Sequence, residues 1–505
     1  MLSHVASGGN GRAARAGGQP VPLVLSEVRS NDVSVQLTIE PSCAQWAKLL
    51  TAEPAGQWQG DTLSAWRRRT RHELGLAVDG PIIATGHQTL LWHPGILVKY
   101  LLVNAIAADM GEVATANLVV DQHVGAFSQF EIPVRGDDGT LAVKTVTLAP
   151  HQKDVPMARH RAFIPPEAPR DLPGALPSVR QGVDRIFQAV AAHRGAPNAA
   201  LQMAAALAEL MSPWVDRMPN VTASDLVQTT LARSILQQMA QDPKGCIETY
   251  NAAVDAVPEG GIGRLEGTGD DVELPIWRVG ADDTRRRGRL GDLRAWVETE
   301  SPTFAIMPRA LFMTALVRLG MCDLFVHGTG GARYDRAMEL WVSHWLGLEP
   351  APIVVATATQ TLPLGPPPEQ RIDVAGARRT ARKLWHDPQS AADAPGPGPA
   401  KRSFLGRIET APRRSAQRRA LFHELHECLA ELRRGQARSI EAAQGRVAAA
   451  VRQAHEAPIV DRRTWSFPLY PQEMIDQLAQ AVRGAVVGAE ASVVTASRNP
   501  PTIST

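Results

Sequence analysis

Short apolar runs alternate with longer segments of helical spacing along much of the chain. Residues 82–85 form an apolar run that fits a buried strand, and a polar turn with two glycines and two histidines follows it. Residues 95–109 then carry apolar side chains at helical spacing, and Gly111 ends the segment. A second apolar run, residues 116–120, completes a strand–helix–strand unit. Because neither run alternates apolar and polar positions, the unit predicts a buried parallel sheet.

A second unit of the same kind lies later in the chain. Residues 324–326 are apolar, a glycine-rich stretch follows, a helix is predicted over residues 334–346, and another strand over 353–356. Between the two units the pattern is mainly helical. Residues 140–148 and 272–279 predict further strands, the former at an antiparallel edge. The fold class is therefore predicted to be α/β, with a parallel-sheet core and a helical insertion.

Residues 418–455 differ from the rest, because they lack proline and are rich in Ala, Arg, Glu, Gln and Leu. Apolar residues recur there every three or four positions, beginning at Leu421, Leu425, Cys428, Leu432 and Ile440. This spacing is typical of a coiled coil or a helical hairpin. Pro458 is expected to end the segment. Two Pro-rich stretches between residues 362 and 400 predict a linker before it.

These patterns divide the chain into seven regions. They are a disordered extension (1–28), the first half of the core (29–150), a mainly helical connecting region (151–262), the second half of the core (263–362), a Pro-rich linker (363–402), a coiled coil (403–458) and a C-terminal segment that returns to the core (459–505). The extension is predicted to be disordered because it has too little apolar surface to offset the entropy of ordering.

Composition narrows the class of protein. The 505 residues are 44% hydrophobic and 21% charged, as in soluble globular proteins, and the net charge is only +2. Such a balanced total predicts no nucleic-acid partner. Four widely spaced cysteines predict neither a disulfide framework nor a zinc ribbon, which fits a reducing cytoplasm. No apolar run reaches the ~18 residues needed to span a membrane, so a cytoplasmic protein without a membrane partner is expected.

Candidate chemistry lies in three polar stretches that follow predicted strands. The first contains Thr85, Gly86, His87, Gln88, His93, Gly95 and Lys99, the second Asp121 and His123, and the third His327, Gly328, Thr329, Gly330, Gly331 and Tyr334. In open α/β sheets, ligands bind outside the carboxyl ends of the strands. Glycines there let the backbone approach a ligand, and helix N-termini attract anions. We therefore expect the three stretches to converge on one pocket for a small-molecule substrate.

Each stretch also has a purely structural interpretation. A glycine-rich turn between strand and helix is often only a tight turn, and a lysine such as Lys99 can extend its amine to the surface. No Lys-Ser/Thr follows Gly331 and no Gly-x-Gly-x-x-Gly opens the first helix, so the P-loop and dinucleotide motifs are absent from the sequence. The imidazoles are metal-ligand types, but no His-x-x-x-His spacing supports a metal site, and none is predicted.

Together these motifs resemble the bacillithiol biosynthesis cysteine-adding enzyme family. That family has a Thr-Gly-Gln-Gln-like loop, a Gly-Pro step and a Lys-bearing helix. Here Thr85-Gly86-His87-Gln88, Pro94-Gly95 and Lys99 stand in similar order. Asp121 and His123 are similar to the family's acidic-His motif, and residues 328–334 are similar to its Gly-Gly-Pro-Gly-Glu-x-x-Tyr-like stretch. The resemblance covers residues 78–471.

The resemblance implies a Rossmann-like core related to class I aminoacyl-tRNA synthetases, with a helical insertion and a late coiled coil that forms a homodimer. It implies a ligase-type enzyme that joins cysteine, or a similar amino compound, to a small, amino sugar-like acceptor. The chain departs from the family at His87, which replaces a glutamine, and at Ala332, which replaces a glutamate. The alternative is therefore a non-catalytic dimeric binding or scaffold protein that retains the fold.

A ligase-type site needs two kinds of side chain. Charge stabilisation for a phosphate or an oxyanion is expected from Lys99. An acid or base is expected from His87, His93 or His327, because imidazoles titrate near neutral pH. These four residues are the catalytic candidates. The sequence identifies no cofactor, and ATP and ADP are the nucleotides to test.

Overall fold

The computed structural model describes residues 26–30, 33–51, 54–299, 302–389 and 396–497. Most of the predicted disordered extension, residues 1–25, lies outside the described residues. The strands are β1 (Ser26–Ser30), β2 (Val33–Glu40), β3 (Gln57–Trp58), β4 (Asp61–Thr62), β5 (Ile82–His87), β6 (Ala114–Val119), β7 (Gln129–Arg135), β8 (Leu141–Thr147), β9 (Asn220–Thr222), β10 (Glu273–Val279), β11 (Arg285–Arg289), β12 (Ala305–Pro308), β13 (Leu324–His327) and β14 (Ile353–Thr359).

The helices of the described residues lie between and after these strands. They are α1 (Trp46–Leu50), α2 (Leu63–Glu73), α3 (Pro94–Met110), α4 (Pro177–Ala192), α5 (Ala199–Met211), α6 (Ala223–Leu226), α7 (Thr230–Gln241), α8 (Pro243–Ala256), α9 (Leu290–Glu298), α10 (Ala310–Leu316), α11 (Thr329–Leu346), α12 (Val374–His386), α13 (Pro399–Thr410), α14 (Ala416–Gly435), α15 (Ala437–Val460) and α16 (Gln472–Ser497).

The main sheet has the strand order β1-β2-β14-β13-β5-β6-β9. The strands from β14 to β9 run parallel, and β2 pairs antiparallel with β14. The predicted units are β5–α3–β6 and β13–α11–β14, and their first strands are neighbours. Because β6 lies beyond β5 and β14 lies beyond β13, the chain leaves β5 and β13 in opposite directions. The predicted α/β class with a mostly parallel sheet is confirmed, and its topological switch point lies between β5 and β13.

Helices cover both faces of this sheet. Along β5, Ile83 joins an apolar cluster with α3 and α16, while Ile82 and Ala84 join the opposite cluster with α7, α8 and α11. Successive residues of a strand point to opposite faces, so an uninterrupted apolar run is what a sheet buried on both sides requires. All three residues are at most 1% exposed. The central strands are therefore rigidly held, and their carboxyl ends can position a site.

Some boundaries differ from the sequence prediction. Helix α11 begins at Thr329 instead of Tyr334, because the glycine-rich stretch forms its first turn despite poor helix propensity. Strand β8 pairs with β7 in a separate hairpin and is not an edge of the main sheet. Helix α15 continues through Pro458 to Val460, since a proline in the last turn disturbs only the end of a helix.

The described residues between 371 and 461 form a pair of antiparallel helical segments, and we call the region 371–461 the arm. Helix α12 packs against α15, and α13 packs against α14. Ion pairs mark the two ends, with Arg371 bonded to Asp461 at the base and Arg407 to Glu424 near the tip. The base is anchored on the β7–β8 hairpin, where Glu456 accepts a hydrogen bond from the backbone of β8.

The apolar repeat of the arm is covered within the chain. Leu421, Leu425 and Leu429 pack against Ile408 of α13. The predicted Pro-rich linker, residues 363–402, is partly helical, because it contains α12 and the start of α13. What the structure shows is this intramolecular pairing, and a coiled coil is not shown.

All four cysteines are unpaired, and Cys246 and Cys322 are buried. Burial raises the pKa of both thiols, which makes them poor nucleophiles. Among the described helices, none combines the length and apolar character that crossing a membrane requires.

Candidate functional site

A cleft of about 310 Å³ opens at the switch point. Its walls are the turn after β5, the start of α3, the first turn of α11, and side chains from α10 and β14. Most of the residues expected from the sequence line it, namely Gly86, His87, Gln88, His93, Gly95, Lys99, His327, Gly328, Thr329, Gly330, Gly331 and Tyr334. The first and third polar stretches thus meet, although they are separated by more than 200 positions.

Three expected site residues lie outside the lining. Thr85 is buried, and its Oγ1 donates a hydrogen bond of 2.8 Å to the carbonyl oxygen of β13 residue Val326. Asp121 accepts a hydrogen bond of 3.2 Å from the Ser224 backbone, and burial raises the pKa of its carboxyl to about 6. Burial lowers the pKa of His123, and its ring packs over Gly125. The second polar stretch therefore contacts α6 and its own turn after β6 and does not line the cleft.

Glycines shape the cleft in two ways. A Cβ at Gly86 would lie 2.4 Å from Leu118 Cβ, so β5 and β6 can pair only without a side chain here. A Cβ at Gly331 would lie 2.0 Å from His327 Nδ1, so this glycine makes room for the imidazole. At Gly330, by contrast, a Cβ would meet no atom within 4 Å. The backbone of the first α11 turn is thus open to a ligand.

The two histidines of the first stretch are neutral at pH 7. His93 Nδ1 accepts a hydrogen bond of 3.1 Å from the Gly95 N–H and caps α3, and burial lowers its pKa to about 4. His87 Nδ1 lies 3.2 Å from the Gln88 carbonyl oxygen, and burial lowers its pKa to about 3. Because protonated Nδ1 could not accept from Gly95, the cap itself requires neutral His93. Both imidazoles are suited to hydrogen bonding, whereas the sequence led us to expect titration near neutral pH.

Lys99 provides a buried amine at the cleft. Its side chain is 2% exposed, and its Nζ donates a hydrogen bond of 2.7 Å to the Gly86 carbonyl oxygen. Burial disfavours the ammonium form and lowers the pKa of Lys99 to about 7. In the described part of the chain, no Asp or Glu lines the cleft. An anionic ligand would therefore be the natural counter-charge of this lysine.

His327 faces a buried carboxylate that sequence reasoning missed. Its Nε2 lies 3.1 Å from Asp335 Oδ2, and the same oxygen accepts a hydrogen bond of 3.0 Å from Arg318 Nη1. Burial alone would raise the pKa of Asp335, but His327 and Arg318 hold it below its ordinary value. His327 ends β13 and Asp335 lies in the second turn of α11, so their approach depends on the connection between strand and helix and has no helical spacing as its signal.

Arg463 was also missed as a site residue. It lines the cleft from the segment after α15, and its Nη1 donates a hydrogen bond of 3.3 Å to Thr359 Oγ1 at the end of β14. The sequence predicts that this segment returns to the core, but no motif in it marks Arg463 as a site residue. Arg463 gives the cleft a positive charge, to which Lys99 adds when its amine is protonated.

The chain matches no protein-family model, and a search of curated proteins finds no match. No group of three or more His, Cys, Asp or Glu side chains in the described residues is arranged to hold a metal ion. The interpretation of the cleft therefore depends on its own geometry and on the resemblance of its loops.

Proposed function

We propose that the chain is a ligase-type enzyme that joins cysteine, or a similar amino compound, to a small, amino sugar-like acceptor. The observation that carries the proposal is a switch-point cleft lined by Lys99 and Arg463 and by no acidic residue. Such a pocket favours a ligand with a carboxylate or phosphate group. The resemblance of the two loops to cysteine-adding enzymes supplies the reaction type.

The first turn of α11 supports binding of the anionic group. Gly328 is the N-cap of this 18-residue helix and makes no side-chain capping hydrogen bond. The following N–H groups and the positive end of the helix dipole therefore suit a carboxylate or a phosphate. If ATP or ADP is used, this turn, together with Lys99, is where we place its phosphates.

His327 is the proposed base. When Nε2–H points to Asp335, Nδ1 is left to accept the proton that an attacking amine loses. Lys99 in its ammonium form would stabilise the oxyanion that develops on the attacked carboxyl group of cysteine. The C–N bond forms as the carboxyl C–O bond breaks, and that oxygen leaves as water or, if ATP activates the carboxyl, with the transferred phosphate. His87 and His93 are then positioning groups, because burial keeps both imidazoles neutral at pH 7 and makes them weak bases.

The test combines binding with product analysis. The protein is incubated with cysteine and amino sugars, including glucosaminyl-malate, with and without ATP or ADP, and products are analysed by mass spectrometry. We expect a condensation product from wild type, and none from His327→Gln, with little change in melting temperature. His344→Gln is the matched control, because His344 is an exposed histidine of α11 that does not line the cleft. Loss of product in both variants, or no product from wild type, would contradict the proposal.

The alternative is a binding or scaffold protein without chemistry. The position of Asp121 favours it, since this acidic residue of the family-like motif is bonded to Ser224 instead of facing the cleft. A thermal-shift screen with ATP, ADP, cysteine and amino sugars separates the two. Binding without product would support a binding protein, and product formation would exclude it.

A further inference from the structure

Basic residues are concentrated in the arm. Residues 371–461 contain 17 Lys and Arg against 10 Asp and Glu, so their net charge is +7, whereas that of the whole chain is +2. The remaining residues therefore sum to −5. Helix α12 alone has four basic residues and no acidic one. The small net charge of the whole chain, which predicts no nucleic-acid partner, conceals this uneven distribution of charge.

A cluster of four arginines lies at the tip of the arm, in and just after the turn between α13 and α14. Arg413, Arg414, Arg418 and Arg419 fall within seven residues, and no acidic residue occurs between Glu409 and Glu424. Arg413, Arg414 and Arg419 are exposed. Arg414 also has a φ of 62°, a left-handed conformation that usually selects glycine or asparagine. Arginine is present in this turn although the backbone does not favour it.

An exposed aromatic side chain accompanies these arginines. Phe422 is 43% exposed, and the other large exposed aromatic side chain of the described residues, Trp385, lies under Arg433 near the C-terminal end of α14. Phe422 follows Arg419 by one helical turn, and His426 is exposed one turn further along α14. The surface around the ring is therefore polar and basic, unlike the continuous apolar stripe of a membrane-binding helix.

We propose that the tip of the arm binds single-stranded nucleic acid. Arg413, Arg414 and Arg419 would contact phosphates, which supplies salt-dependent affinity independent of sequence. Phe422 would stack on an unpaired base, because every base offers an aromatic face. An acidic protein would pair with the arginines but would offer no base to Phe422. Helices α13 and α14 pack on each other with their inner faces. Their outer faces are exposed and therefore accessible to a nucleic-acid strand.

Fluorescence anisotropy with labelled oligo(U) RNA and oligo(dT) DNA of about 20 nucleotides tests the proposal. Wild type should bind at least one of them saturably at about 50 mM NaCl and lose affinity as salt rises. The triple variant R413Q/R414Q/R419Q should bind at least tenfold more weakly, with a log Kd against log[salt] slope lower by about 2. The triple variant R161Q/R194Q/R217Q is the matched control, because it removes three exposed arginines outside the arm.

Phe422→Ala tests the stacking step separately. It should weaken single-strand binding roughly tenfold and leave binding of a blunt duplex unchanged. Val451→Ala is its control, since Val451 is an exposed aliphatic residue of the same arm, at 41%. The proposal is overturned if neither oligonucleotide binds, if the control triple variant loses as much affinity, or if only phosphatidylserine vesicles bind the tip.

Discussion

Lys99 gives the cleft a pH dependence whose sign follows from its burial. Its pKa is about 7 in the folded protein, below its ordinary value of 10.5. Between these two values the unfolded chain binds more protons at this position than the folded protein does. Stability therefore rises with pH across that window, and the destabilising contribution of Lys99 is fully present below about pH 7.

Replacing Lys99 by Met should remove this contribution. We expect Lys99→Met to exceed wild type in stability by at least about 1 kcal/mol at pH 7, because one pKa unit corresponds to about 1.4 kcal/mol. The gain should shrink as pH approaches 10. Urea unfolding at a series of pH values measures it, with the exposed Lys48→Met as the control. If the free energies of unfolding of Lys99→Met and wild type changed with pH in the same way, the amine would not be desolvated in the folded protein.

Asp335 should matter more for stability than its position on a helix suggests. Asp335→Asn leaves the fully buried Arg318 without half of its carboxylate partners, so we expect a loss of about 3 kcal/mol. Glu339→Gln removes the other carboxylate partner of Arg318. The loss of stability should be smaller in this variant, because the Glu339 side chain is 40% exposed and water can solvate the site. Urea unfolding compares the two variants. Equal losses of stability in the two variants would mean that burial does not determine how much each ion pair of Arg318 contributes.

Two glycines of the cleft elements should respond to alanine in opposite ways. Gly86→Ala places a methyl group against Leu118 and should destabilise the β5–β6 pair by about 1–3 kcal/mol. Gly330→Ala faces open space, so stability should be retained while binding of ADP or another anion at the α11 turn falls at least tenfold. Urea unfolding and calorimetric titration measure the two effects. Unchanged ligand binding in Gly330→Ala would show that the first turn of α11 does not contact the ligand.

The strand–helix–strand units were predictable, whereas the neighbours of their strands were not. Each central strand is an apolar run ended by glycine or histidine, and local physics suffices to recognise it. The pairing of β5 with β13 joins residues 241 positions apart. The same limit applies to Arg463, which reaches the cleft from the far end of the chain. The protonation of His93 could not be foreseen either, since it depends on a cap and on burial.

The arm shows a similar limit for helices. The apolar repeat correctly placed α14 and α15, but a repeat does not say which surface covers it. Its partners, α12 and α13, lie partly in the predicted linker. Helix α12 was overlooked because Ala377 is its one buried side chain, so it carries almost no apolar signal. The charge of the arm was equally hidden by summing over the whole chain.

The predicted homodimer through the arm stays a prediction, and the whole molecule constrains how it could form. The leucines of α14 (Leu421, Leu425 and Leu429) are already packed against α13. A second copy of the chain would therefore have to contact the outer faces of the arm. Those faces expose Phe422 and Val451 among many arginines. Two arms of net charge +7 repel each other, and this repulsion weakens as salt screens it.

Salt should therefore act on dimerisation and on nucleic-acid binding with opposite signs. Raising NaCl from about 0.1 M to about 1 M shortens the screening length from ~10 to ~3 Å, so we expect the dimer fraction to increase while oligonucleotide affinity falls. Sedimentation velocity at several salt concentrations measures the dimer. R413Q/R414Q/R419Q should raise the dimer fraction at low salt, because it removes three like charges from each arm. A dimer that dissociates as salt rises would instead require contact between the basic arm and the remainder of the chain, whose net charge is −5.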